Sequence, residues 1–264
     1  WYTNLLKKVN YSITKECQFL DFGCGDGECV RQFRVSGFNA FGCDIEFPDK
    51  SKNDLESYFE SGIIRKIEYS SDPTDTIEKY LITRKLTPNE EIPYRLPFDD
   101  NVFDVIVSGQ VFEHVMNYRA VLSELRRITK PDGINVHIFP GRWTVREPHT
   151  YVPFASAFRP YWWMQLWALV GIRNEFQIGK SARETALRNY WYLKKHTNYL
   201  SRKQILQHVS EYFEEYRFAE EAYFYVSEET RRRFDDFPFI LDFYRNWYSD
   251  THMRVLVCKN KKRS

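Results

Sequence analysis

The stretch Phe19 to Val30, FLDFGCGDGECV, constrains this chain more than any other. An apolar run ends at Asp21 and gives way to glycine at every second position, Gly23, Gly25 and Gly27, before a helical pattern begins. The pattern predicts a strand, a tight turn and a helix start. Glycine is needed where the backbone takes positive φ or where a ligand approaches the main chain too closely for a Cβ. The first turn of the helix would aim unpaired N–H groups at that ligand. A dinucleotide fingerprint G-x-G-x-x-G needs its third glycine at position 28, which is Glu28, so a nicotinamide site is disfavoured.

Strand and helix signals alternate through about residue 140, which predicts an α/β fold. Lys15 to Phe22 reads as strand one and Glu28 to Val35 as the helix after it. Asn39 to Cys43 is a second strand, followed by Asp44, 23 positions after Asp21. A strand-two acid at that distance reaches a ribose laid across the sheet edge, and the alternative is a strand-end turn residue. Ile64 to Tyr69 is a third strand, and the polar stretch with Pro73 and Pro88 reads as irregular. Phe103 to Val107 has the β-branched character of a strand buried in a parallel sheet. Ala120 to Ile128 carries Val121, Leu122, Leu125 and Ile128 at helical spacing, and Lys130-Pro131-Asp132-Gly133 reads as the turn into strand five, Ile134 to Phe139.

The string Asp-x-Gly-x-Gly-x-Gly at Asp21 to Gly27 resembles motif I of the class I S-adenosylmethionine-dependent methyltransferases. LPFDDNVFDVIVSGQVFEHV, Leu96 to Val115, and the Lys130 to Gly133 turn resemble further motifs of the same family, in its type 11-like, small-molecule branch. The resemblance covers residues 15 to 140. It implies a Rossmann-like, seven-stranded, mostly parallel sheet with helices on both faces, strand seven antiparallel, and S-adenosylmethionine as cofactor. It also implies cofactor contacts. Asp21 would order the loop or meet the methionine amino group, and Gly23, Cys24, Gly25 and Gly27 would bring the main chain against the methionine and ribose portions. Asp44 would hold the ribose beside Ile45, and Ser108 and Gln110 would lie along the methionine moiety. Many members carry an acid four residues before the LPF leucine to meet the adenine, but this chain has Ile92 there. Glu90, Glu91 or backbone around Tyr94 and Arg95 are the candidates in its place.

Residues 1–140 would thus form the cofactor-binding core, 141–200 an insertion, and 201–264 the rest of the core. The insertion is unusually aromatic, with Trp143, Tyr151, Phe154, Phe158, Tyr161, Trp162, Trp163, Trp167, Tyr190, Trp191 and Tyr192. A class I fold passes from strand five through one helix to strand six, so the roughly forty extra residues form an acceptor-side lid over the carboxyl ends of the strands. Most of the rings would cover the sheet and three or four face an acceptor. Tyr161 to Ile172 is too short to span a membrane and is interrupted by Gln165, so it is read as a lid helix, with an interfacial helix as the alternative. Arg142, Arg146, Tyr151 and Arg159 are the candidate acceptor contacts, suited to a phosphate or carboxylate, the alternative being surface ion pairs. Beyond the insertion, Ser201 to Tyr212 reads as a helix, Glu215 to Tyr225 as strand six and Met253 to Lys259 as strand seven.

Methyl transfer from a sulfonium leaves a neutral thioether, so it needs no metal and little acid chemistry. A hydroxyl acceptor does need a base. His114 and His149 are the candidates, with Glu113 and Glu147 to orient them, and His114 has a purely structural reading at a helix start. The methyl is expected to go to an oxygen or nitrogen of a small acceptor, a sugar or glycan intermediate or a phosphorylated metabolite, the alternatives being a lipid- or quinone-type acceptor or a non-catalytic binding subunit. A nucleic-acid acceptor is not expected. The Asn/Asp-Pro-Pro-aromatic signature of amino methylation is replaced by Ser108-Gly109-Gln110-Val111, no cysteine follows a proline, and the net charge over 264 residues is only +2. The Arg231-Arg232-Arg233 run reads as a solvated helix face. Five cysteines without a C-x-x-C pair indicate neither a disulfide framework nor a zinc site, and no signal peptide precedes strand one, which predicts a cytoplasmic enzyme.

Overall fold

The computed structural model describes residues 1–48, 55–67, 94–224, 247 and 250–260. Seven strands, β1 (Gln18–Phe22), β2 (Asn39–Asp44), β3 (Ile64–Lys66), β4 (Phe103–Gly109), β5 (Thr129–Pro140), β6 (Glu215–Phe218) and β7 (Met253–Lys259), make one sheet in the order β3-β2-β1-β4-β5-β7-β6. The first five pair in parallel, and β7 runs antiparallel between β5 and β6. The winding reverses between β1 and β4. In open α/β sheets that reversal opens a crevice at the carboxyl ends of the strands, where ligands bind.

Both faces of the sheet are covered. Phe19, Val105, Val107, Val136 and Val257 point to one side, where α1 (Tyr2–Lys8), α2 (Glu28–Val35) and α8 (Glu220–Phe224) supply Leu5, Leu6, Val30, Phe33 and Ala222. Leu20, Ile106 and Leu256 point to the other, against Leu122 and Leu125 of α4 (Tyr118–Ile128) and Ile205 and Val209 of α7 (Arg202–Val209). This two-residue alternation is what a strand buried on both faces must show. A short α3 (Glu56–Glu60) precedes β3.

Several elements differ from the sequence reading. β1 begins at Gln18 rather than Lys15, because the chain turns at Thr14 to Cys17, where the Cys17 N–H donates to the Thr14 carbonyl. The Lys130 to Gly133 turn lies inside β5 as a bulge. Phe103 pairs with Thr129 and Val105 with Ile134, so between these pairs one residue of β4, Asp104, opposes four of β5, Lys130 to Gly133. Asp132 takes φ 65° there, and a Cβ on Gly133 would fall 2.6 Å from Thr129 Cγ2. Strand six stops at Phe218, and α8 follows where more strand was expected. Glu220 and Glu221 in its first turn favour a helix start. The helix from Ser201 is capped by that residue's hydroxyl and ends at Val209 rather than Tyr212. Expectations for Tyr69, Pro73, Pro88, Glu90, Glu91, Ile92, Tyr225 and Arg231 to Arg233 lie outside the described residues.

The stretch between β5 and α7 holds α5 (Tyr161–Leu169), a 3-10 turn at Glu175–Gln177 and α6 (Ala182–Lys195). Val152, Ala155, Met164, Ala168, Ala186 and Leu193 give it a small core of its own. Its outer face is apolar, since Trp162, Leu166, Leu169 and Val170, spaced along α5, are all exposed. Among the described residues no helix is long and apolar enough to cross a membrane. The two ends of the stretch are tied to the sheet. Gly141 and Trp143 donate their N–H groups to the His252 and Asp250 carbonyls, and buried Arg254 donates to the Leu200 carbonyl at 2.6 Å.

Candidate active site

The three glycines at the end of β1 have different jobs. All take positive φ, at 78°, 51° and 72°. A Cβ on Gly23 would sit 2.2 Å from Val111 Cγ2, and one on Gly27 would strike Leu55 and Ile64, so these two are glycine because protein packs against them. Nothing lies within 4 Å of a Cβ built on Gly25. Gly25 thus leaves open space above a backbone held in the left-handed region. Cys24 points away from it into the core, where its sulfur would meet a Cβ on Gly42, so only its main chain faces the crevice.

Asp44 ends β2 with its carboxylate braced by the main chain. Oδ2 accepts the Gly25 N–H at 2.8 Å, and Oδ1 accepts that of Ile45 at 2.7 Å. The acid therefore fixes the glycine loop while each oxygen keeps capacity for another donor. Ile45 beside it is exposed. Asp21 is buried and its pKa is pushed up to about 7 by that burial, against the Cys29 thiol hydrogen bond that favours the carboxylate. A carboxylate in that position gains most from a ligand bringing positive charge, as S-adenosylmethionine would.

Tyr2 adds a residue that the sequence reading missed. Its hydroxyl lies 3.1 Å from where a Cβ on Gly109 would be, at the carboxyl end of β4, and burial together with the Asp21 charge keeps it protonated. No local motif announces it, because α1 reaches the site only through the fold. Ser108 and Gln110 are placed differently from the expectation. The Ser108 hydroxyl is fully buried against His137 Nδ1 at 2.8 Å, and Gln110, at φ 59°, directs its amide to the Met253 sulfur at 3.6 Å.

Glu113, His114, Glu147 and His149 come together where the loop after β4 meets the stretch between β5 and α7. The ring centroids of His114 and His149 are 4.8 Å apart and nearly perpendicular. The Glu147 carboxylate is fully buried and receives five hydrogen bonds. Oε1 accepts His149 Nδ1–H and the Tyr199 hydroxyl, both at 2.8 Å. Oε2 accepts the N–H groups of His149 and Thr150 and the Thr150 hydroxyl. Burial would raise its pKa, but these bonds and the His149 charge prevail and hold it below the ordinary carboxylate range. For His149 burial works downward, yet the Glu147 hydrogen bond and charge, with that of Glu113, lift it above the ordinary imidazole value. His114 bonds through Nδ1 to the His196 carbonyl at 2.7 Å and is shifted down, mainly by burial. Glu113 is 1% exposed with neither oxygen hydrogen-bonded, and burial pushes its pKa up to about 7.

The arginines do not form one patch. Arg159 donates to the Leu193 and Thr197 carbonyls at the end of α6, the place where a cation satisfies orphan carbonyls. Arg146 stacks on Tyr151, 3.9 Å from the ring centroid. Arg142 lines a separate cavity of about 380 Å³ with Trp143, Ser201, Arg202, Lys203, Asp250 and Arg254.

A family profile described as a methyltransferase domain matches residues 5–212. An uncharacterized methyltransferase of Schizosaccharomyces pombe is 30% identical over 140 residues, 50% of this chain and 41% of that protein. A ubiquinone biosynthesis O-methyltransferase of Rickettsia prowazekii is 26% identical over 129 residues, 49% of this chain and 42% of that one. The chain thus spans under half the length of these curated relatives. Among solved structures, the phosphoethanolamine N-methyltransferase 2 of Haemonchus contortus, in complex with phosphomonomethylethanolamine and S-adenosylhomocysteine, superposes with a TM-score of 0.51 at 14% identity, over 99% of this chain and 53% of the other.

Proposed function

The chain belongs to the class I S-adenosylmethionine-dependent methyltransferases, and we propose that it methylates a hydroxyl oxygen of a small, largely apolar acceptor, with His149 as the base. One observation carries this reading. An imidazole stands at the junction of the loop after β4 and the insertion, its Nδ1–H fixed on a buried carboxylate, so that Nε2 is the nitrogen left to accept a proton. The same logic underlies other His–carboxylate pairs, in which the acid sets the tautomer and steadies the imidazolium.

When bound, the cofactor supplies a methyl on a sulfonium that departs as a neutral thioether. The chain does the rest. Gly25 leaves room over the main chain, Asp44 offers the ribose a braced carboxylate, and Asp21 offers negative charge to the cationic end of the ligand. As the hydroxyl oxygen bonds to the methyl, its proton goes to His149 Nε2 and then to solvent, which this partly exposed ring reaches. Glu147 stays ionised throughout.

The apolar acceptor is favoured by the commitment of Arg159 to backbone carbonyls and by the exposed apolar face of α5. The relative in ubiquinone biosynthesis points the same way. A sugar or phosphorylated acceptor is the second reading, supported by the basic cavity of Arg142, Arg202 and Lys203. The test measures S-adenosylhomocysteine release with a panel of hydroquinones and catechols beside one of sugars and sugar phosphates. Turnover with the first panel alone supports the reading. Turnover only with the second would overturn it in favour of the phosphorylated acceptor.

A further inference from the structure

Glu113, His114 and His149 each offer a ligand atom, and these atoms lie within 4.8 Å of one another. Among the described residues, no other trio of His, Cys, Asp or Glu groups in this way. Two further features single this cluster out. Each histidine has its Nδ1 on an oxygen that accepts, the His196 carbonyl for one and the Glu147 carboxylate for the other, which leaves Nε2 as the nitrogen with a lone pair to offer. That is the outer-shell arrangement that orients metal-binding imidazoles. The Glu113 carboxylate, meanwhile, is buried at 1% exposure without a hydrogen-bond partner on either oxygen. A buried polar group left in that state calls for an explanation, and an ion is one.

From this geometry we propose that Glu113, His114 and His149 bind one divalent cation of the zinc class. Two imidazoles and one carboxylate suit zinc or cobalt, whereas calcium and magnesium favour all-oxygen sites. Charge agrees, since the carboxylates of Glu113 and Glu147 together balance a doubly charged ion. Zinc ligands at about 2.0–2.1 Å stand about 3.3 Å apart in a tetrahedron, so the atoms need to close by at most about 1.5 Å on binding. Glu113, whose oxygens have no hydrogen-bond partner, is free to contribute to that movement through its side-chain torsions. The fourth position stays open to water or another oxygen ligand.

The site goes beyond the proposed reaction and competes with it at one atom. His149 Nε2 cannot take a proton while it holds a metal, so bound zinc suppresses a His149-dependent methyl transfer. This sets the cation apart from an essential cofactor.

The test uses chelator-stripped protein, titrated calorimetrically with zinc chloride and followed by the visible absorption of cobalt(II). One ion per chain is expected, with a tetrahedral cobalt spectrum lacking thiolate charge-transfer bands. Glu113→Gln and His114→Ala should each lower zinc affinity by at least about 100-fold, and Glu147→Gln, through orientation of His149, by about 10- to 100-fold. Retained S-adenosylhomocysteine affinity shows that a variant is folded. If Glu113→Gln does not fold, His149→Asn at the partly exposed edge takes its place. No measurable zinc binding, affinity unchanged in the folded variants, or a cobalt spectrum dominated by thiolate bands from the free cysteines would each overturn the site. Because binding is read without acceptor or turnover, its failure leaves the methyl-transfer reading standing, and the reverse also holds.

Discussion

The Glu147 carboxylate holds His149 twice, by Nδ1–H at 2.8 Å and by backbone N–H at 3.0 Å, so ring and main chain are fixed to one buried anion across a single proline. Pro148 fixes φ between them, and the loop has little freedom to release the ring. His149→Ala should therefore lower turnover by about 10² to 10⁴, the span of a positioned general base, while leaving S-adenosylhomocysteine affinity unchanged. Single-turnover assays beside calorimetry check it. Full activity in this variant, with His114→Ala inactive, would move the base to His114.

Tyr199 connects the anion to the segment leading into α7. Tyr199→Phe keeps the ring and removes the hydroxyl that donates to Glu147 Oε1. Hydrogen bonds to charged groups contribute about 1.5–3 kcal/mol, so the melting temperature should drop accordingly. Thermal denaturation by circular dichroism reads it, and an unchanged midpoint would show that the bond adds nothing.

The glycine loop makes a paired prediction. Gly27→Ala should cost stability by about 2–5 kcal/mol, because φ of 72° and contacts of 2.6 and 2.9 Å to Leu55 and Ile64 act together. Gly25→Ala, with nothing nearby to strike, should cost only about 1–2 kcal/mol of stability. It should nevertheless impair cofactor binding far more than its stability cost suggests. Equal losses of stability in the two variants would refute the division of labour.

Asp21 sets a pH dependence. Its folded pKa is raised from 3.8 to about 7 by burial, so the folded protein resists ionisation of this acid. The penalty is absent below the unfolded value, grows as pH rises through the folded one, and is complete above it. Asp21→Asn should therefore stabilise the ligand-free protein at pH 8 by at most about 4 kcal/mol and hardly at all at pH 4. The same variant should weaken S-adenosylhomocysteine binding at pH 8. Denaturant melts at the two pH values decide the first point, and a gain confined to pH 4 would reverse the sign.

Asp44→Ala removes the acceptor for the Gly25 and Ile45 N–H groups together with the carboxylate proposed to hold the ribose. Cofactor affinity should drop by about 1.5–3 kcal/mol in calorimetric titration. Unchanged affinity would leave Asp44 as a turn residue alone.

Local pattern announced what local forces build. The helix Glu28–Val35 and the strand Met253–Lys259 fall where periodicity put them, since each side chain's environment repeats with the element itself. The Glu147-Pro148-His149 string could be noticed because its three residues are adjacent. Its partners could not. Tyr199 lies 52 positions away, and the His196 carbonyl that holds His114 lies 82 away, so no spacing in the chain marks either bond. Charge misled for a related reason. Arg159 looked like an anion contact, but a helix end with orphan carbonyls satisfies a guanidinium equally well, and only the fold brings α6 to it. Ser108 illustrates the other limit, because its hydroxyl meets His137, 29 positions away on the neighbouring strand, a partner that only the sheet brings to it.

Both ends of the aromatic stretch are fastened to residues 250–254, at the entrance to β7, through Gly141, Trp143 and Leu200. On the ribosome, β7 emerges about fifty residues after Leu200, by which time the strands of the glycine cradle are already outside the tunnel. The half that would hold the donor can thus assemble early, while the half that would receive the methyl is pinned only when β7 slides between β5 and β6. A nascent or prematurely terminated chain would accordingly gain an affinity for the donor before it gained anything to methylate, so donor binding alone is a poor reporter of finished synthesis.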